Sequence, residues 1–303
     1  MSAPATPVAA PGAPAHRRSG ATSPWQVFRT AAELGWRIES NWADPFIFMI
    51  YSIAKPLAHA AILVVMYAIV SRGDFRSPLF TYIFVGNAFY IYVSSLIVGV
   101  SWAVIEDRER YRTLKYIYVA PLQYPVYLMG RGMARFLTGT LSVVLTLGMG
   151  ILVLKLPLDL AAVDWPLFAA AMALGLVVLA MMGLIVAGVS LLVAHHLEQM
   201  GEALAGALYI FSGAVFPIDV LPGWLQPAAL AMPITWWLEL VRRSLVGPLT
   251  TGVSPAMAGF SNGAVLGILA GLTVVTTAGA LVIFSITDRG ARERGLLDKV
   301  TNY

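Results

Sequence analysis

Long uncharged blocks, separated by short clusters of charged and turn-forming residues, dominate this chain of 303 residues. Residues 77–105 contain no charge, and neither do residues 255–287. An apolar block of about 18 residues or more is read as a helix crossing a bilayer. The pattern predicts six such helices, over residues 46–70, 77–105, 136–154, 165–194 and 200–216 and within 255–287. The fifth is the shortest, and Pro217, which has no N–H for a helix, ends it. The expected fold is an all-α integral membrane protein, because in lipid every backbone polar group must be satisfied within the segment.

Before the first span the pattern changes twice. Residues 1–24 are rich in Ala, Pro and Ser, with no apolar stretch behind a basic start. They read as a disordered cytoplasmic tail and not as a signal peptide. Residues 25–42 then show a helical period. Val27, Ala31, Leu34, Ile38 and Trp42 share one face, and Gln26, Arg29, Thr30, Glu33 and Arg37 the other. Arg29, Glu33 and Arg37 are spaced for pairing along the polar stripe. Trp25 and Trp36 lie at the boundary between the faces, as indoles do at the headgroup level. This is either a helix lying in the membrane surface or a soluble helix packed on a partner. The span that follows at once, after an Asp44-Pro45 turn, favours the first. The expected organisation is a tail to residue 24, an interfacial helix over 25–44, a six-span domain over 45–287 and a cytoplasmic tail over 288–303.

Composition agrees with the pattern. The chain is 58% hydrophobic and 12% charged, against about 45–50% and 25% in a soluble domain. Its net charge of +4 sits in the loops, so the positive charge is assigned to orientation and anionic lipid headgroups, not to nucleic acid. Fourteen of the 20 Lys and Arg fall on the side that holds both termini, five fall on the other side, and Lys55 lies within a span. Both termini are therefore expected in the cytoplasm.

The search for catalytic motifs is mostly negative. There are no cysteines, which removes disulfides and thiolate chemistry. A phosphate-binding loop needs Gly-Lys followed by Ser or Thr. The lysines are Lys55, Lys115, Lys155 and Lys299, and none follows Gly. His16, His59, His195 and His196 form no metal-binding motif, and no nucleophile elbow is present. No cofactor, metal or catalytic residue is expected on this chain.

Four features stand out. The cytoplasmic loop over 106–128 opens with Glu106-Asp107-Arg108-Glu109-Arg110-Tyr111-Arg112-Thr113-Leu114-Lys115, followed by an aromatic stretch and Pro121. It reads as a short charged helix and then an apolar one, either a knob for a cytoplasmic partner or an ordinary solvated loop. The outer segment over 217–247 is too apolar for an open loop and too rich in Pro for a span. Short broken helices dipping into the outer leaflet fit it, with Glu239 spaced to pair with Arg242 or Arg243. Lys55 and His59 share a face of the first span, where Lys55 either snorkels to the headgroups or lines a translocation path. Gly263, Gly267 and Gly271 form a stripe that allows close helix approach, expected within the subunit before a dimer seam. The second span is also aromatic, with Phe80, Tyr82, Phe84, Phe89, Tyr90 and Tyr92. Those rings serve either packing or a substrate path, for which Tyr82 and Tyr90 are candidates.

These residues resemble the permease subunit of type-2 ABC exporters, the family of bacterial drug-resistance and polysaccharide-export permeases. The resemblance covers nearly the whole chain after Trp25. Its most specific stretch is Ser212-Gly213 before Phe216-Pro217, then Leu221-Pro222, Trp224, Pro233, Arg242 and Gly247. The family usually carries Gly-Thr-Leu-Glu in the loop after the second span, and Arg112-Thr113-Leu114-Lys115 fills that place. Arg112 for Gly and Lys115 for Glu are the departures. The resemblance implies a half-channel in the bacterial plasma membrane that pairs with a second permease copy, as a homodimer or a paralogous heterodimer. It implies separate ATPase subunits that hold ATP and Mg, with Glu106 to Pro121 passing their movement to the spans. The substrate would be an amphipathic or hydrophobic drug-like or lipid-like molecule, or a glycan.

Two rival functions are weighed against this. An ion-driven secondary transporter needs buried acids and internal repeats, and the spans hold no Asp or Glu apart from Glu202 at the start of the fifth. A membrane-embedded transferase needs a polar cluster, for which His195, His196, Glu198 and Glu202 are the candidates.

Overall fold

A computed structural model of the chain describes residues 23–41, 44–71, 75–193 and 197–296. Residues 1–22 and 297–303 of the expected tails, together with Trp42, His195 and His196, lie outside these residues, while residues 288–293 of the expected C-terminal tail continue the last helix. All regular structure among them is helical. Helix α1 is Pro24–Ser40, α2 Pro45–Ser71, α3 Pro78–Ile105, α4 Leu114–Val119, α5 Tyr124–Leu152, α6 Trp165–Leu192 and α7 Leu197–Phe211. Four short helices follow α7 and lead to the last long one. They are α8 Gln226–Leu230, α9 Pro233–Val246, α10 Pro248–Thr251 and α11 Pro255–Ala258, before α12 Asn262–Glu293.

The span starts are set by local chemistry. Ser77 accepts a hydrogen bond from the Phe80 amide at 3.1 Å, and Pro78 follows. Asp164 does the same for Leu167 at 3.1 Å, and Ser261 for Ala264 at 3.2 Å. Each cap satisfies one of the N–H groups that a helix start leaves without a partner.

Among the described residues five helices are long and apolar enough to cross a bilayer: α2, α3, α5, α6 and α12. The fifth expected span is α7, which has 15 residues. At 1.5 Å per residue it reaches about 22 Å, less than the ~30 Å of a hydrocarbon core. Past Ser212 the chain turns through Gly213, whose φ of 73° is in the left-handed region that favours glycine. Helix α5 begins at Tyr124 and not near residue 136, because Pro125 initiates it, and so Arg131 and Arg135 fall inside the helix.

Helix α3 is the centre of the bundle. Of its apolar window 72% is buried, against 17% for α2 and for α12. It packs on α5, α6, α7 and α9, while α12 packs on α6 and α9. Helix α1 lies along α5 and buries Val27, Ala31 and Gly35. Leu34 of the expected apolar face is exposed instead, as are Trp25 and Trp36.

The 14-residue α9 is the least expected element, for twelve of its residues are buried. Two glycines make room for it. A Cβ on Gly175 of α6 would fall inside the indole of Trp237, and one on Gly86 of α3 would strike the guanidinium of Arg242. By contrast, the stripe of Gly263, Gly267 and Gly271 meets nothing within 4 Å. The expectation that it packs within the subunit is wrong. Small residues permit close approach without deciding which helix approaches.

Candidate functional site

At the end of α3 the helix continues into one π-helical turn, Glu106–Arg110. The Tyr111 amide donates to the Glu106 carbonyl five residues back, at 2.8 Å. Such turns recur at functional sites. The widened turn redirects the charged run, and the loop, read from sequence as either a knob for a partner or a solvated loop, is fastened to the bundle at three places.

The first fastening is Arg131 of α5. It donates to Glu106 Oε2 at 2.6 Å and to Asp107 Oδ1 at 3.0 Å, with Arg131 and Asp107 almost fully buried. Tyr127, one helical turn before Arg131, accepts a third bond at 3.3 Å. The second is Arg108, which donates to the carbonyls of Ser190 and Val193, both at 3.2 Å. Those carbonyls belong to the C-terminal end of α6, where orphan acceptors and the helix dipole favour a cation. Arg108 is also 2.9 Å from Glu109. The third is Tyr118 of α4, whose hydroxyl donates to Asp288 Oδ1 of α12 at 2.6 Å. Arg292 pairs with the same carboxylate at 3.1 Å and lies 4.7 Å from the Tyr118 ring centre. Burial, and then the Asp288 carboxylate, push the Tyr118 hydroxyl up, so it remains a donor.

Between these points Leu114 is buried, whereas Arg110, Arg112, Lys115, Tyr116, Val119 and Pro121 are exposed, and Thr113 is half-buried. Thr113 ties the turn closed, its amide donating to the Asp107 carbonyl at 2.8 Å. Beside the loop, Arg135 meets Glu39 of α1 at 3.0 Å, and burial pushes the Glu39 carboxyl up.

The Pro-rich motif over 217–247, expected on the outer side, lies at the other end of α3. Arg242 of α9 donates to the Tyr82 carbonyl at 3.0 Å and to the Gly213 carbonyl at 2.7 Å, with its guanidinium 3.7 Å from the Tyr82 ring centre. Arg243 pairs with Glu239 at 2.8 Å and donates to the carbonyls of Met257 and Phe260 at 2.7 and 2.6 Å. Glu239 lies 4.0 Å from Arg242. Thus two buried arginines staple α9 to α3, to the turn after α7 and to the segment before α12. Pro217 is buried, Phe216 and Pro233 are half-buried, and Pro222 and Trp224 are exposed.

The remaining candidates are not brought together. Lys55 and His59 are exposed on α2, with His59 Nδ1 3.0 Å from the Lys55 carbonyl. Tyr82 is buried against Arg242, and Tyr90 donates to the Ala205 carbonyl of α7. Three partners escaped the sequence reading as functional residues: Asp107, Arg131 and Asp288. For Arg131 the available signal was an arginine within an apolar helix period. Nothing in the sequence marked Asp288 as the partner of Tyr118.

Both the fastened loop and the α9 staple lie within residues 33–246, which match the family model described as ABC-2 type transporter. The chain belongs to the ABC-2 type transporter family. It is a multi-pass membrane permease of an ABC transporter. Permeases of this family normally pair with an ATPase subunit. The search of curated proteins finds no match.

Proposed function

We propose that this permease is the membrane half of an ATP-driven exporter in a bacterial plasma membrane, energised by a separate ATPase that docks on the loop from Glu106 to Pro121. ATP and Mg are held by that ATPase, and this chain performs no covalent chemistry. Helix α7 serves as the fifth, short span of six, and the segment through α9 dips back from the outer side. Both termini face the cytoplasm, and a second permease copy, identical or paralogous, completes the channel.

One observation supports this most: a single short loop is fastened to α5 by Arg131, to α6 by Arg108 and to α12 by Tyr118. It is also continuous with α3. A push on the loop therefore reaches four spans at once, as a rigid-body transition driven by a partner's nucleotide requires.

The transported molecule is amphipathic or hydrophobic in this reading. The α3 rings are consumed in packing, Phe89 against Trp237 and Tyr92 stacked on Phe136. The exposed face of α7 carries Ala203, Gly206, Ala207 and Ile210 after Glu202 at its start, and it offers no ring for a sugar to stack on. The test is reconstitution into liposomes loaded with a lipophilic dye or with a labelled oligosaccharide. Dye efflux is expected only with the ATPase and ATP present. Efflux by the chain alone would overturn the proposal, and ATP-driven efflux of the oligosaccharide alone would overturn the substrate class.

A further inference from the structure

The loop from Glu106 to Lys115 is nearly balanced in charge, with Glu106, Asp107 and Glu109 against Arg108, Arg110, Arg112 and Lys115. Folding sorts these charges by sign. All three acids turn inward, Glu106 and Asp107 onto Arg131 and Glu109 onto Arg108. The side chains of Glu106 and Glu109 keep 12% and 7% of their exposure, and Asp107 keeps 1%. Arg108 is buried with them. What remains exposed is Arg110, Arg112 and Lys115, beside an apolar tip of Tyr116 and Val119. The exposed charges of the loop itself are thus cationic, beside an apolar prow.

Backbone conformation gives a second, independent observation. Arg112 has a φ of 53°, in the region where a side chain is disfavoured and glycine is at ease. A charged residue kept in a strained conformation at an exposed turn points to a use for the charge.

We infer that the ATPase subunit receives this loop in a groove with an apolar floor for Tyr116 and Val119 and an acidic rim facing Arg110 and Arg112. This rests on the proposed docking of an ATPase, and it adds the chemistry by which the partner is chosen. Complementary charge steers encounter and rejects partners whose rims are basic.

The experiment uses the full chain in nanodiscs of neutral phosphatidylcholine, or of phosphatidylcholine with anionic phosphatidylglycerol. Binding is measured for the ATPase subunit that supports transport in the reconstitution above. The double reversal Arg110→Glu with Arg112→Glu leaves the inward pairs intact, and monodispersity by size exclusion reports its fold. In neutral nanodiscs it is expected to weaken ATPase binding by about tenfold or more, and raised salt is expected to weaken the wild type towards it. Lysine substitutions of carboxylates on the groove rim are expected to restore binding to the reversed permease. Unchanged affinity of the double reversal would overturn the inference. So would a loss confined to anionic nanodiscs, which would assign the cations to lipid headgroups. If the wild-type chain binds no ATPase at all, the parent reading fails and this one with it.

Discussion

Arg131 shows how much depends on a single buried cation. It serves two carboxylates in a place with little water, and removing one partner of such a set leaves the others charged and unpaired. Arg131→Met is expected to lower stability by about 3–5 kcal/mol, read as an earlier melting transition in detergent, with Arg131→Lys recovering part of the loss. An unchanged transition would mean that these carboxylates are neutralised elsewhere. At Arg112 the sign is opposite. Relief of the left-handed strain is worth roughly 1–2 kcal/mol, offset by about 0.5–1 kcal/mol of extra chain entropy. Arg112→Gly is therefore expected to melt slightly later than the wild type while binding the ATPase less well. Residue-level pairing was legible only where partners are neighbours along a helix. Glu239 and Arg243 are four apart and were expected to meet. Arg131 and Glu106 are 25 apart in sequence, and only the turn that returns α5 beside α3 brings them together.

At the scale of elements, sequence reads best where the solvent is uniform. Long apolar runs placed α2, α3 and α6 to within about two residues, whereas α12, expected within 255–287, runs on to Glu293. Helix α9 was harder, because buried arginines break the apolar pattern that would announce a buried helix. Its burial rests on Trp237 filling the space above Gly175. Gly175→Ala is expected to cost about 1–3 kcal/mol by overpacking, and shrinking the ring with Trp237→Leu in the same chain should return part of it. Equal melting of the single and double variants would show that α9 has room to move. The link between α4 and α12 invites a different test. Tyr118→Phe removes only the hydroxyl that Asp288 accepts. It is expected to leave ATP hydrolysis by the assembled transporter close to normal while lowering efflux several-fold. Parallel loss of hydrolysis and efflux would argue that Tyr118 serves docking and not transmission.

At the scale of the whole molecule, the proposed function rests on the two interruptions of the span pattern. One is the loop beyond α3, fastened at three points. The other is the α9 segment, stapled by two arginines at the opposite end of the bundle. The charge bias and the missing phosphate loop were readable from residue types alone. The inward sorting of the loop's acids was not, since charge in a sequence carries no direction. The absence of cysteine makes the docking end directly measurable, because any introduced thiol is unique. Val119 is 86% exposed at the loop and Trp224 is 78% exposed at the other end. Single-cysteine chains carrying Val119→Cys or Trp224→Cys, each bearing a short photoreactive crosslinker, would be assembled with the ATPase and illuminated. The account predicts a crosslink to the ATPase from position 119 and none from position 224. A crosslink from 224, or none from 119 in a transporter that still moves its substrate, would contradict it.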